Sequence, residues 1–399
     1  MAPERLFVAS ADGHVGIPTA QYRPYLDPEY RDQFDGFLAG HKQRWSAAEP
    51  TSVLDPAAWD WWRGNERYES GGIDSLADPT RRLKELDEDG IAVEVLFTDD
   101  QNENTAPWLG GGLVQVGLHQ EYPVELRVAG ARAYNRWLAE FCAEAPDRFI
   151  GVIAIPTLED VDAAVAEVRR AHADGLRQGV LLPLDYEPLV HHPKNEPFWE
   201  VCSELDLTVA VHLGDGSPHW VGDDEWDFAI VIMETFFFAH RPLWCMVFGG
   251  VLERHPELRV VFTESGADWV PGTVMQMDGI AKGRLWRSAN EKPLAHLPSE
   301  QFNRQCFVAN SIMQRREIDM RAAIGTDVLI WGCDFGHHEG QWPMTRQRMR
   351  ALFEGVPEAD VRKIVGENFL RAYDVDRSSY DALVQEIGPT VDDLGAVGA

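Results

Sequence analysis

Eight short apolar runs, separated by stretches of helical periodicity, constrain this chain more than any other feature. They are 6–11 (LFVASA), 91–97 (IAVEVLF), 150–155 (IGVIAI), 178–183 (QGVLLP), 207–213 (LTVAVHL), 258–263 (LRVVFT), 305–309 (QCFVA) and 328–333 (VLIWGC). Runs rich in Val, Ile and Leu without polar alternation belong to strands covered on both faces. The stretches between them read as helices. In 157–174 (TLEDVDAAVAEVRRAHAD), Thr157 is placed to cap, with Asp160 three residues on. Segments 196–206 and 313–324 behave similarly, and 356–374 reads as a final amphipathic helix. Alternation of strand and helix implies parallel pairing with right-handed crossovers. Eight such units predict a (β/α)8 TIM barrel rather than an open sheet. With 399 residues, 45% hydrophobic, the chain can fill one large core, so a single barrel domain over 1–399 is expected.

Two stretches break the rhythm. Residues 15–78, after the first strand, are rich in Pro and Gly and hold Trp45, Trp59, Trp61 and Trp62. Residues 214–240, after the fifth, hold His219, Trp220, Trp226 and Phe236-Phe237-Phe238. Long connections after a barrel strand lie on the catalytic face, so both are expected there as pocket walls or lid. Residues 377–399 read as a weakly ordered tail with contacts to a neighbouring subunit.

The polar residues fall at one edge of this frame. Asp12-Gly13-His14 follows the first strand, His212 ends the fifth, Glu264 ends the sixth and Asp334 ends the eighth. All are C-terminal strand ends, where barrel catalysis occurs. Singly, such residues are ordinary: a strand-end His is usually structural, and an Asp there is often a helix cap. Jointly they predict a metal site. In Asp12-x-His14 the two side chains alternate along extended chain and point the same way. Imidazole and carboxylate with no thiolate suit zinc or manganese. His212 and Asp334 complete a site with room for water or substrate. One divalent ion per chain is expected, zinc before manganese. One of His337-His338 is expected to face the pocket, whereas His191-His192 reads as a loop feature.

Other classes are excluded by composition. The net charge is -29, from 36 Lys+Arg against 65 Asp+Glu. A surface this acidic repels phosphate backbones and excludes nucleic acid as a partner. The five Cys (142, 202, 245, 306, 333) are widely spaced without CxxC, which reads as reduced thiols. Cys306 and Cys333 lie in apolar runs as small buried hydrophobes. The N-terminus shows no basic-then-apolar leader, and no run of 18 apolar residues occurs. The expectation is a cytoplasmic enzyme acting on a small molecule without a membrane, assembled as a homodimer.

The chain resembles the amidohydrolase-2 branch of the amidohydrolase superfamily, the group of aminocarboxymuconate-semialdehyde and γ-resorcylate decarboxylases. The resemblance covers roughly 80–375. It is carried by SADGH, RFIGVIAIP, RRAHADG, GVLLP, PFWEVCSELDLTVAVH, GGVLERHPELRVVFTESGADWVP and IWGCDFGHHEGQWP. It implies ligand roles for Asp12, His14, His212 and Asp334, matching the reading from strand ends. Three departures stand out. Asp12 opens the pair where some relatives carry His or Glu, Glu264 occupies the position after the sixth strand where the familiar decarboxylases carry His-x-Gly, and, a smaller change, Phe335-Gly336 replaces Tyr-Pro.

Three reactions compete. In a hydrolase, a metal-activated water attacks an amide, lactone, ester or activated C–C bond, with Asp334 or Glu264 moving the proton and His337 in support. In a non-oxidative decarboxylase, the metal holds the carboxylate of an aromatic or unsaturated acid. In a binding protein, the metal serves stability alone. Glu264 tilts the expectation to a hydrolase, with decarboxylation the alternative. A decarboxylase needs a cation for its substrate, and Arg63, Arg241, Arg315 and Arg316 are the candidates.

Overall fold

The computed structural model describes residues 4–48, 56–99, 101, 104–109, 122–155, 157–184, 189–216, 227–283 and 293–398. Every predicted run contains a strand. They are β1 (Ala9–Ser10) and its short continuation β2 (His14–Val15), β3 (Val93–Thr98), β4 (Phe149–Ile153), β5 (Gly179–Leu181), β6 (Thr208–His212), β7 (Val260–Thr263), β8 (Cys306–Asn310) and β9 (Leu329–Trp331). Neighbours pair in parallel in the order β1-β3-β4-β5-β6-β7-β8-β9, with β2 also on β3. Closure comes from the last strand onto the first: Ala11 N–H donates to Trp331 O (3.2 Å), Asp334 N–H to Asp12 O (2.9 Å) and His14 N–H to Phe335 O (2.9 Å). The result is an eight-staved α/β barrel.

The absence of alternation has a direct structural cause. On β3, Val93, Val95 and Phe97 join Ile150, Val152, Ala210, Val261, Phe307 and Ile330 inside the barrel, while Leu96 packs outward with the helices. Phe369, Tyr373 and Tyr380 close the N-terminal mouth, and Thr208 Oγ1 donates to Ala372 O (2.6 Å) at the start of β6.

Several expectations are revised. The helix after β4 runs Val161–Ala173, and its cap is Asp160, which accepts from Ala163 N–H; Thr157 accepts from Glu159 N–H in the preceding turn. The final helix is three pieces, Glu358–Arg362, a π-turn Lys363–Glu367 and Asn368–Tyr373. The C-terminal segment expected to be weakly ordered is instead docked. Helix Asp381–Ile387 buries Val384, Leu394 is buried beyond it, Leu6 N–H donates to Pro389 O, and Val397 bridges Pro357. The insertion after β2 is helical at Arg31–Ala48 and Pro56–Arg63. Trp62 is its buried anchor: Nε1–H donates to Trp342 O (3.2 Å) and the two rings meet edge-on at 5.5 Å. Trp61 is exposed. The side chains of Trp45 and Trp59, and residues His219, Trp220 and Trp226, lie outside the described residues. Helix Asp227–Phe248 has the length and composition of a membrane span, yet Val231, Leu243, Met246 and Val247 are buried against the barrel.

Candidate metal centre

Four of the eight staves deliver polar side chains to the same mouth. Asp12 follows β1, His14 opens β2, His212 ends β6, Glu264 follows β7 and Asp334 follows β9. All five, and His337, are buried. Glu264 and Asp334 have φ of 60° and 53°, the left-handed region that non-glycine residues avoid. Such backbone strain concentrates at functional sites and is held by the surrounding structure. Here the braces are visible. Glu317 Oε1 accepts from Ala267 N–H (2.7 Å) and Asn310 Nδ2 (2.8 Å), tying the turn after β7 to the end of β8. His240 Nε2 lies 2.7 Å from Ser265 O, its ring stacked on Trp269.

The ligand geometry fits a cation. Four ligands about 2.1 Å from a tetrahedral ion stand about 3.4 Å from one another. His14 Nε2 is 3.4 Å from Asp12 Oδ1 and 3.3 Å from Asp334 Oδ1, and His212 Nε2 is 3.4 Å from Asp12 Oδ1. Behind the rings, His14 Nδ1 lies 2.7 Å from Thr98 O and His212 Nδ1 2.7 Å from Leu213 O. A carbonyl accepts only from N–H, so both Nε2 atoms keep their lone pairs for the centre. His14 Nε2 and both carboxylate oxygens of Asp334 are buried without a hydrogen-bond partner. Orphaned buried polar atoms are costly unless something satisfies them. A divalent ion among them would do so, and the ligand atoms of Asp12, His14, His212 and Glu264 all lie within 4.8 Å of one another.

The electrostatics are those of crowded carboxylates. Burial and then the Asp334 charge push Glu264 well above the usual carboxyl range. Burial works against protonated His337, but Asp334 and Asp99 outweigh it and raise the ring well above its ordinary value. Burial likewise opposes protonation of His212, yet Asp12 and Glu264 lift it to about 10. Asp334 is held far below the usual range; burial would raise it, and His337 and His14 overcome that.

The structure brings together every residue expected at the site. His337 stacks on His14 (3.7 Å between centroids) and its Nδ1 lies 3.0 Å from Asp334 Oδ1. Sequence reasoning missed Asp99, 3.7 Å from His337 Nε2 and accepting from Asn104 Nδ2 (2.9 Å), and Ser311, whose hydroxyl donates to Asp12 Oδ2. Ser311 sits just past the end of β8, so the strand-end rule that found the others covered it too. Of the candidate arginines, Arg315 is paired with Asp319 and Arg316 with Asp268 on the surface, Arg63 is exposed, and Arg241 lies over the Phe238 ring.

Beneath the ligand loops lies a buried pair that the sequence did not announce. Arg82 Nε donates to Glu94 Oε2 (2.7 Å), both fully buried, and the guanidinium covers the Phe335 ring at 3.7 Å. Gly13, between Asp12 and His14, rests against this pair so closely that a Cβ would overlap the Glu94 carboxylate.

Candidate metal ligands gathered at the C-terminal mouth of a (β/α)8 barrel are the arrangement of a metal-dependent barrel enzyme. Residues 110–375 match the Amidohydrolase family profile, and the chain belongs to that family. It is 27% identical over 322 residues to γ-resorcylate decarboxylase of Rhodococcus jostii, covering 74% of this chain and 87% of the relative. It is 26% identical over 223 residues to 2-amino-3-carboxymuconate-6-semialdehyde decarboxylase of Dictyostelium discoideum, covering 54% and 53%. Among solved structures, an amidohydrolase from Mycobacterium avium subsp. paratuberculosis superposes with TM-score 0.68 at 20% identity, over 92% of this chain and 99% of that one. A dihydroxybenzoic acid decarboxylase from Polaromonas with bound manganese superposes with TM-score 0.59 at 18% identity, over 94% and 98%. These relatives favour the decarboxylase alternative over the hydrolase expected from Glu264.

Proposed function

We propose that the chain is a divalent-metal-dependent, non-oxidative decarboxylase of a small phenolic or unsaturated carboxylic acid. The observation that carries this reading is the likeness to γ-resorcylate decarboxylase along 74% of the chain. Asp12, His14, His212 and Asp334 would hold the ion, and when bound it supplies a Lewis-acid anchor for the substrate's carboxylate and neighbouring oxygen. The nitrogen and oxygen donors, without thiolate, suit manganese or zinc; manganese is present in the Polaromonas neighbour.

The chain's own residues account for the proton. Glu264 shares the mouth with Asp12, His14 and His212, its ligand atom within 4.8 Å of theirs. In this reading its carboxyl donates a proton to the ring carbon that bears the carboxylate. The bond from that carbon to the carboxyl group then breaks, its electron pair returns to the ring, and carbon dioxide leaves. Glu264 regains its proton from solvent, so one proton is consumed per turnover. His337, against Asp334 and stacked on His14, fixes the orientation of both. All five cysteines are free and buried, which suits a reducing cytoplasm.

The test is turnover of 2,6-dihydroxybenzoate and related acids by manganese- or zinc-loaded protein in deuterated water. Carbon dioxide should appear with one deuterium on the vacated carbon. Hydrolysis of lactones or amides with no carbon dioxide from any acid would overturn the reading.

A further inference from the structure

The turn that carries Glu264 is held by a carboxylate outside the metal centre. Glu264 (φ 60°) and Gly266 (φ 70°) put two left-handed residues within three positions. A non-glycine residue keeps that backbone only where its surroundings impose it. The turn begins with Glu264 N–H donating to Ala309 O (2.8 Å). It ends with Ala267 N–H donating to Glu317 Oε1 (2.7 Å), an oxygen that also accepts from Asn310 Nδ2 (2.8 Å) at the end of β8. Between these points His240 Nε2 lies 2.7 Å from Ser265 O, and Trp269 Nε1–H donates to Gly266 O (3.0 Å).

Glu317 belongs to the first turn of helix Arg315–Asp319, where a glutamate commonly closes a capping box onto its own N-terminus. That duty falls to one oxygen alone: Oε2 accepts from Gln314 N–H (2.8 Å). Oε1 is turned away from its own helix, to the turn of the preceding stave. Glu317 is 2% exposed, so these bonds are made away from competing water. A further link from helix to turn, Arg316 with Asp268 (3.2 Å), lies on the surface, where an ion pair contributes little.

We infer that Glu317 is a positioning residue for Glu264: by fixing the exit of the turn through Oε1, it aims the Glu264 carboxyl at the carbon to be protonated. The inference rests on the function proposed above. Glu317 itself touches no reacting atom, and its effect passes through the backbone from Ala267 to Glu264. A carboxyl misplaced by about 1 Å delivers its proton about 10²-fold more slowly.

The experiment compares wild type, Glu317→Ala, Glu264→Gln and the double variant as full chains loaded with Mn2+, by turnover of 2,6-dihydroxybenzoate, metal analysis and a crystal structure of Glu317→Ala. In Glu317→Ala, kcat should fall about 10- to 100-fold at unchanged KM and metal content, with the Glu264 carboxyl shifted by about 1 Å. Adding Glu317→Ala to Glu264→Gln should cost nothing further, because an effect transmitted through Glu264 is not lost twice. Ile318→Ala, which empties a fully buried position on the same helix, should lower Tm yet leave kcat near the wild-type value. If Glu317→Ala does not fold, Glu317→Gln, with one acceptor oxygen in place of two, carries the same comparisons. A matching fall of kcat in Ile318→Ala, a full further fall in the double variant, or metal lost in step with turnover overturns the inference. The two failures separate. A shifted Glu264 in a protein that releases no carbon dioxide from any acid sinks the proposed reaction and leaves the positioning, whereas decarboxylation by wild type with Glu264 unmoved in Glu317→Ala sinks the positioning alone.

Discussion

Removing the cation from the buried pair beneath the ligand loops should cost this protein heavily. Arg82 and Glu94 are both fully buried at 2.7 Å, and burial already pushes the Glu94 carboxyl upward against the pull of Arg82. Arg82→Met keeps the length and apolar stem but leaves a carboxyl without its partner. Breaking a buried pair on one side typically costs about 3–5 kcal/mol. At roughly 2.1 cal/mol/K of unfolding entropy per residue, 399 residues give about 0.8 kcal/mol/K, so the expected fall in Tm is about 5 °C. Replacing both partners, as Arg82→Met with Glu94→Leu, should recover most of the loss, because no buried charge is then stranded. The assay is thermal unfolding by circular dichroism, run with metal and after chelation. The Met substitution should also weaken metal binding, since Gly13 and Phe335 rest on the pair between ligands. A single variant within 1 °C of wild type, or a double variant no more stable than the single, would refute this reasoning.

Two further outcomes follow from the site. Asp334→Asn keeps size and one oxygen donor but loses the charge, and kcat should drop by about 10²–10⁴; Glu264→Gln should fall comparably, and near-full turnover in it would remove Glu264 from proton delivery. In metal-free protein the raised His212 (6.5 to about 10) stabilises the fold fully below pH 6.5, and that stabilisation is lost as pH rises through about 10. Chelated samples should therefore lose Tm across that window, and a flat or rising Tm there would contradict the assignment.

The barrel was legible because its strands are covered on both faces, so eight non-alternating runs could not be surface strands. Asp12, His14, His212, Glu264 and Asp334 were legible because all sit at one end of those runs. Asp99 was hidden by its setting, since TDDQNENT reads as a polar turn and only the folded chain shows its contact with His337. The tail was misread for a different reason. Val384, Leu394 and Ala396 are too sparse to make a periodic segment, yet each is buried, as residues 389–397 bond to Leu6 at one end and to residues 355–358 at the other. Arg82 sits on a helix whose charged residues suggest a solvated face, and a sequence pattern does not reveal which of them turns inward to Glu94. Glu264 was placed at its strand end from the sequence; its residue type pointed to water chemistry, whereas the relatives favour the decarboxylase alternative.

Barrel closure has a consequence for synthesis. Asp334, the partner of Asp12 and His14 across the closing seam, leaves the ribosome more than three hundred residues after them. Until then the nascent chain lacks one of the four proposed ligands, and the first strand has an open edge where the last will pair. Metal uptake by the proposed donor set would thereby wait for the last strand: a translation product stopped short of β9 has neither the seam nor Asp334, and it presents an unpaired strand to any chaperone or protease that samples edges.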